Sequence, residues 1–201
     1  MKIRFILLIM GILMSNAIKA QDNILILGDS LSAGYGLKTE QNWVTLLQQR
    51  LNQQYPDYTI INASVSGDTT ANGLNRLPAA LKLSQPKIII IELGANDGLR
   101  GLPLGYAKNN LEKIIKASQQ QASKILLLGM KIPPNYGKKY TQAFAEIFPQ
   151  LAEQYNLSLV PFMLKGVSGH PKYIQTDGLH PNAQAQALIL DNIWPYLQTL
   201  L

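Results

Sequence analysis

Ser30 lies in the run Gly28-Asp29-Ser30-Leu31-Ser32, directly behind an apolar stretch. A serine hydroxyl attacks a carbonyl only if a base takes its proton, and the chain has two imidazoles, His170 and His180. Both precede a proline. Asp177 stands three residues before His180 and can fix its tautomer and stabilise the imidazolium, whereas no acid is close to His170. Asp177 and His180 read on their own are equally well explained as loop caps. An attacked carbonyl becomes an oxyanion that needs donors shielded from water. Three candidates are the backbone N–H of Ser30, the N–H of Gly67, which no side chain obstructs, and the amide NH₂ of Asn96. Asp29 is expected to support the nucleophile turn rather than react, and Asp97 is read in the same way. Ser32, Ser64 and Ser66 are expected to satisfy loop backbone.

These residues fall in four islands, and three of them follow predicted strands. Gly28–Ser32 follows the strand Asn23–Gly28, Ser66–Thr69 follows Thr59–Ala63, and Gly94–Asp97 follows Lys87–Leu93; Asp177–Asn182 precedes the last helix. Further strands are predicted at Lys124–Gly129 and Leu157–Val160. Helical spacing marks Gln41–Gln54, Thr70–Leu83, Tyr106–Gln121, Tyr140–Gln154 and Pro181–Leu200, with Pro78, Pro149 and Pro195 expected to kink or shorten three of them. Pro181 is expected at the first helical position, which leaves His180 at a loop-to-helix junction. Strand–helix alternation without a linker-like stretch predicts one α/β domain with a parallel sheet covered on both faces. Ligands of such sheets bind beyond the carboxyl ends of the strands, where the islands collect. Any one island alone is ordinary turn and cap chemistry.

Composition removes several other chemistries. The 201 residues are 47% hydrophobic and 15% charged, enough for a sizeable core. With no cysteine there is no disulfide, iron–sulfur cluster, thiolate zinc site or cysteine nucleophile, and two histidines cannot make a three-histidine metal site. Lys2 and Arg4 head the apolar run Phe5–Met14, followed by small residues at Ser15, Ala17 and Ala20. That layout predicts an export signal over residues 1–20, cleaved after Ala17 or Ala20, and it is too short for a permanent membrane anchor. Residues 21–201 then form the working domain, exported to a periplasm or outside the cell. Three of the 18 basic residues lie in the signal, leaving about +3 of the formal +6. The remaining basic residues are dispersed, with no aromatic interleaving, so no nucleic-acid partner is expected.

Together, Gly28–Gly36, Asn62–Thr70, Glu92–Gly101 and Asp177–Asn182 resemble the four blocks of the GDSL, or SGNH, hydrolases. The four letters of the second name correspond to Ser30, Gly67, Asn96 and His180, in family order. Arg76-Leu77-Pro78, Pro133, Asn135-Tyr136-Gly137 and Phe162 extend the likeness over essentially the whole chain after the signal. Within the family the chain is similar to exported bacterial esterases that act on aryl esters, acyl thioesters and lysophospholipids. The resemblance implies a three-layer α/β/α, flavodoxin-like fold with five parallel strands. It also implies a catalytic triad of Ser30, Asp177 and His180 and an oxyanion hole from Ser30, Gly67 and Asn96. No metal and no organic cofactor is implied.

The resemblance further implies that the segment Gly98, Leu99, Arg100, Gly101, Leu102 and Pro103 borders an acyl groove, near Ile132 and Pro133, and shifts when an acyl chain binds. Pro134, a second proline where the family pattern has one, is expected to stiffen that wall. The classical G-x-S-x-G elbow is absent, which argues against the ordinary α/β-hydrolase fold. Small acyl esters or thioesters, including lysophospholipids, are the expected substrates of an exported monomer. Two alternatives are a carbohydrate O-deacetylase of the same fold and a non-catalytic anion- or nucleotide-binding module. The apolar Leu99, Leu102, Pro103, Ile132 and Pro133 weigh against a sugar pocket. Acidic residues in both Gly-containing loops weigh against phosphate.

Overall fold

Two runs of isoleucine and leucine set the centre of the molecule. A computed structural model describes residues 22–121 and 123–201; the predicted export signal lies outside the described residues. Strand β1 (Asp22–Gly28) and strand β3 (Ile88–Glu92) lie side by side, and Ile24–Leu27 and Ile88–Ile91 are fully buried. Neither run alternates with polar residues because helices cover both faces. β2 (Tyr58–Asn62) flanks β1, and β4 (Lys124–Leu128) and β5 (Ser158–Val160) continue from β3. The order is β2-β1-β3-β4-β5, and every pairing is parallel. The α/β class and the five-stranded parallel sheet are as the sequence predicts, with strand ends displaced by one residue.

The chain runs from β1 out to β2 and then back across to β3, so its connections diverge between β1 and β3. Helix α1 (Ser30–Ala33) caps the end of β1, and α2 (Trp43–Gln54) leads into β2. Helix α3 (Thr70–Ser84) returns to β3, whose end is capped by α4 (Ala95–Leu99). Next come α5 (Leu104–Gln120), α6 (Lys138–Tyr155) and α7 (Gln186–Gln198). α2 packs with α7 on one face, and α5 packs with α3 and α6 on the other. Each does so through an apolar stripe, such as Trp43, Val44, Leu47 and Leu51 of α2 and Phe144, Ile147, Phe148 and Leu151 of α6.

Two expectations need correction. Pro78, Pro149 and Pro195 do not end their helices. Each ring is flanked by buried apolar residues (Leu77 and Leu81, Phe148 and Leu151, Ile193 and Leu197), so packing on both sides offsets the single lost N–H bond. Pro181 does not begin the last helix. It forms an antiparallel bridge with Ile174, and a 3₁₀ turn at Ala183–Ala185 precedes α7. α1 and α4, of four and five residues, are too short for periodicity to reveal.

Ile90 has no exposed surface at the centre of β3. Ile90→Ala is expected to cost about 3 kcal/mol by deleting close-packed methyl groups from a site that cannot collapse. Denaturant unfolding of the two proteins measures the difference.

Candidate active site

The carboxyl ends of β1, β2 and β3 deliver the first three islands to one crevice. Gly28, the last residue of β1, is in register with Glu92, the last of β3. A Cβ on Gly28 would lie 2.8 Å from Glu92 Oε2, Ser32 Cβ and Ser64 Oγ, so only glycine fits this crossing. Asp29 then caps α1: its Oδ1 accepts the Leu31 N–H at 3.0 Å, which fixes Ser30 at the first position of the helix. Arg76 of α3 braces the turn from outside. Its guanidinium donates to the carbonyls of Gly28 (2.8 Å) and Ala63 and pairs with Asp68 Oδ2 at 2.6 Å. One cation thus ties together the segments that follow β1 and β2.

His180 reaches Ser30 from the far end of the chain. The Ile174–Pro181 bridge holds its loop, Gln175 N–H donates to the His180 carbonyl at 2.8 Å, and Gln175 Nε2 donates to the carbonyls of Tyr35 (2.8 Å) and Pro181 (3.0 Å). His180 Nε2 lies 2.9 Å from Ser30 Oγ, and Nδ1 lies 2.7 Å from Asp177 Oδ2. Asp177 Oδ1 accepts the N–H groups of Leu179 (2.9 Å) and His180 (3.0 Å). Its slight burial acts upward, but those two N–H groups and the imidazole outweigh it and lower the carboxyl pKa to about 2. Asp177 is therefore an ionised acceptor at neutral pH. That puts the imidazole hydrogen on Nδ1 and leaves Nε2 to accept from the serine hydroxyl. The Tyr35 ring lies against the imidazole, with centroids 4.6 Å apart. His170 packs edge-on against Tyr173 instead.

The three expected donors also converge. Ser30, Gly67 and Asn96 line the same groove, and the backbone N–H groups of Ser30 and Gly67 have no acceptor among the described residues. Gly67 has φ +83°, and only Arg100 Nη2, at 3.8 Å, lies near the place of an added Cβ. Its residue type is set by backbone conformation rather than by clearance. The amide of Asn96 is already engaged: Nδ2 donates to Asp29 Oδ2 and to the Asp68 carbonyl, both at 3.0 Å. Asp97 accepts from the Thr70 N–H and hydroxyl, a structural role that agrees with the sequence reading. Ser32 departs from it, because its hydroxyl donates to the buried Glu92 carboxyl rather than to loop backbone.

The groove holds about 360 Å³. Of the predicted wall, Leu99, Ile132 and Pro133 line it, whereas Gly98, Arg100, Gly101, Leu102 and Pro103 do not. Gly98 faces the interior, where a Cβ would lie 2.8 Å from Ile132 and 2.9 Å from Phe144. Arg100 turns back to donate to the Gly67 carbonyl at 2.8 Å. The Tyr136 and Tyr140 hydroxyls hold the carbonyls of Leu99 and Leu102. Sequence reasoning missed Leu31, Tyr35, Met130, Leu164 and Leu179, which complete an apolar lining. Met130 and Leu164 follow β4 and β5, so the rule that ligands sit beyond strand ends, applied to all five strands, would have found them.

The sequence matches the GDSL-like Lipase/Acylhydrolase family across residues 26–188. The chain belongs to that family. The chain is 47% identical to "Esterase TesA" of Pseudomonas aeruginosa, over 90% of each chain. It is 43% identical to "Arylesterase" of Vibrio mimicus, over 94% of each. "Thioesterase 1/protease 1/lysophospholipase L1" of Escherichia coli K12 is 41% identical over 90% of this chain and 86% of that protein. A crystal structure of TesA superposes with a TM-score of 0.87 at 47% identity, over 90% of this chain and 100% of that one. These likenesses identify a serine hydrolase of esters with the fold that the GDSL pattern implies.

In this GDSL hydrolase Arg76 and Asp68 are both mostly buried, and the guanidinium carries three contacts at once. Arg76→Ala is expected to cost about 3 kcal/mol by leaving Asp68 and two strand-end carbonyls without their partner. Equilibrium unfolding in urea measures the loss.

Proposed function

We propose that Ser30 is the nucleophile, His180 the general base and acid, and Asp177 the carboxylate that orients it, with Ser30, Gly67 and Asn96 receiving the oxyanion. The observation that carries this reading is the unbroken chain Ser30 Oγ–His180–Asp177, at 2.9 and 2.7 Å, beside two backbone N–H groups that have no acceptor among the described residues. Ser30 Oγ attacks the acyl carbon while His180 Nε2 takes the hydroxyl proton. The tetrahedral oxyanion lies against the Ser30 and Gly67 N–H groups. Asn96 joins them by sharing with the oxyanion one of the N–H bonds it now makes to Asp29 or Asp68. His180 then protonates the departing alcohol or thiol, leaving an acyl-enzyme, and activates the water that releases the acid.

Substrate class follows from the groove. Leu31, Leu99, Met130, Ile132, Pro133, Leu164 and Leu179 offer an acyl chain an apolar bed, with Ser66, Lys131 and Ser168 as polar side chains on the same groove. Small acyl esters and thioesters are the proposed substrates, in keeping with relatives named esterase, arylesterase and thioesterase 1/lysophospholipase L1. No described helix is long and apolar enough to cross a membrane. We propose further that residues 1–20 are removed on export and that the enzyme meets lysophospholipids or other small oxygen esters outside the cytoplasm, where acyl-coenzyme A is scarce.

Hydrolysis of a short and a long p-nitrophenyl ester by the purified mature chain tests the reading. Turnover is expected for wild type and none above background for Ser30→Ala; a folded wild type without turnover would overturn the assignment. Asp177→Asn is expected to lower kcat about 10⁴-fold by removing the acceptor that fixes the imidazole tautomer. Asn96→Ala is expected to lower kcat about a hundredfold or more. Asp177 keeps its charge down to about pH 2, so its protonation does not set the acid limb of the wild-type kcat/KM profile at milder pH. Loss of activity from Asp177 protonation is expected only as pH falls through about 2.

A further inference from the structure

Beneath the nucleophile turn lies a carboxyl group that the reaction above does not use. Glu92 is fully buried at the end of β3, facing Gly28 and Asp29 at the end of β1, Ser32 of α1 and Ser64 of the segment after β2. Its Oε2 accepts the Asp29 N–H at 3.1 Å and the Ser32 hydroxyl at 2.8 Å. Its Oε1 has no hydrogen-bond partner among the described residues, and neither does the nearby buried Ser64 Oγ. A negative charge here would spread onto an oxygen that nothing solvates. The neighbour is a second buried carboxylic acid, Asp29, whose backbone N–H already holds Glu92 Oε2. Two carboxyl groups buried side by side do not both ionise without a large cost, so one of them carries a proton.

The charged groups nearby decide which one. Asp29 accepts the Leu31 N–H and the Asn96 amide, and it lies within electrostatic reach of His180. Among the described residues Glu92 pairs with no cation. Arg76, which reaches this end of β1, spends its charge on Asp68 and its other N–H groups on the carbonyls of Gly28 and Ala63. Burial pushes both acids up, Asp29 to about 6 and Glu92 well above the usual carboxylate range, with the charge of Asp29 raising Glu92 further.

We propose that Glu92 is a positioning residue that stays protonated at neutral pH and, being neutral, leaves the charge on Asp29, which holds Ser30 and Asn96 in place. The proton remains on Glu92 throughout the reaction. Asp29 stands at the centre of the arrangement: its N–H is held by Glu92, one carboxylate oxygen caps the helix that starts at Ser30, and the other aligns the Asn96 amide. Ionising Glu92 would set two buried carboxylates against each other under the nucleophile. An acid with a raised folded-state pKa binds its proton more tightly folded than unfolded, so stability drawn from the neutral form is lost as pH rises.

The proposal rests on the esterase reading for its kinetic readouts only. Difference infrared spectroscopy of folded wild type against Glu92→Gln is expected to show a protonated-carboxyl C=O band at neutral pH that the variant lacks. The wild-type Tm is expected to fall relative to that of Glu92→Gln from neutral to alkaline pH. The alkaline limb of the wild-type kcat/KM profile is expected to flatten in the same variant. Glu92→Ala is expected to lose about tenfold or more activity relative to Glu92→Gln, because glutamine keeps an acceptor for the Asp29 N–H. Absence of the band, a Tm gap that does not change with pH, an alkaline limb common to both proteins, or equal impairment by Ala and Gln would each overturn the proposal. If Glu92→Gln does not fold, alkaline loss of the band in wild type takes its place. A wild type without turnover would sink the esterase reading, while the band and the Tm gap would still decide where the proton sits.

Discussion

The constraint on which the site depends is that β1 and β3 must be buried on both faces and still lie next to each other. Helices can cover both faces only if the connections from the two strands diverge, one toward β2 and one toward β4. The divergence opens a crevice at the carboxyl ends, where Gly28 and Glu92 face each other in register. Whatever stands there must satisfy backbone groups that the sheet no longer pairs. α1 and α4 do so by starting within two or three residues of a strand end, which aims their first N–H groups into the crevice. Of the two backbone donors of the groove, the Ser30 N–H stands at the start of α1 and the Gly67 N–H lies in the segment between β2 and α3.

Polar groups then convert an open crevice into a rigid one. Arg76 clamps the segments after β1 and β2, Asp97 pins the start of α3, and Asp29 bridges α1 to Asn96 of α4. These contacts join elements close to one another at the sheet edge. The Asp177–His180 loop comes from the other end of the chain and is fixed separately, by the bridge to Ile174 and by Gln175 reaching the Tyr35 carbonyl. The imidazole thus meets a hydroxyl whose position is already set, and the Asp177 carboxylate needs only local backbone N–H groups to stay charged.

Much of this was legible in the sequence, for physical reasons. Ile24–Leu27 and Ile88–Ile91 could only be strands buried on both faces, and the small polar islands that follow them marked the ligand edge before any geometry was known. Asp177 and His180 were readable because their contact is local, three residues apart. Glu92 was not, because an acid ending an isoleucine run carries no mark of what it faces; only the register of β3 against β1 puts it under Asp29. The Asn96 amide looked like a free donor for a similar reason, since its acceptors, Asp29 and the Asp68 carbonyl, come from two other islands. The family resemblance put Gly98 and Arg100 at the groove, but a helical turn at α4 points consecutive residues in different directions, and of this segment Leu99 is the one that lines it. Pro181 was misplaced because its helix-starting tendency yields to the bridge that its loop makes with Ile174.

The two halves of the site differ in how freely they can vary. The groups that hold Ser30 are interlocked: replacing Asp29 would disturb the α1 cap, the Asn96 amide and the Glu92 contact together, so no one of them can drift alone. The groove wall is assembled differently. Met130 and Leu164 follow β4 and β5, on the side of the sheet away from that network, and meet it only across the open groove. An apolar side chain there can change size at the cost of repacking its own neighbours, without moving a hydrogen bond under Ser30. Sheet order therefore spreads the groove over two regions: Ser30, Gly67 and Asn96 follow β1 to β3, whereas Met130, Leu164 and the Asp177–His180 loop follow β4 and β5. Relatives with names as different as arylesterase and thioesterase 1/protease 1/lysophospholipase L1, at 43% and 41% identity, are what such a division permits.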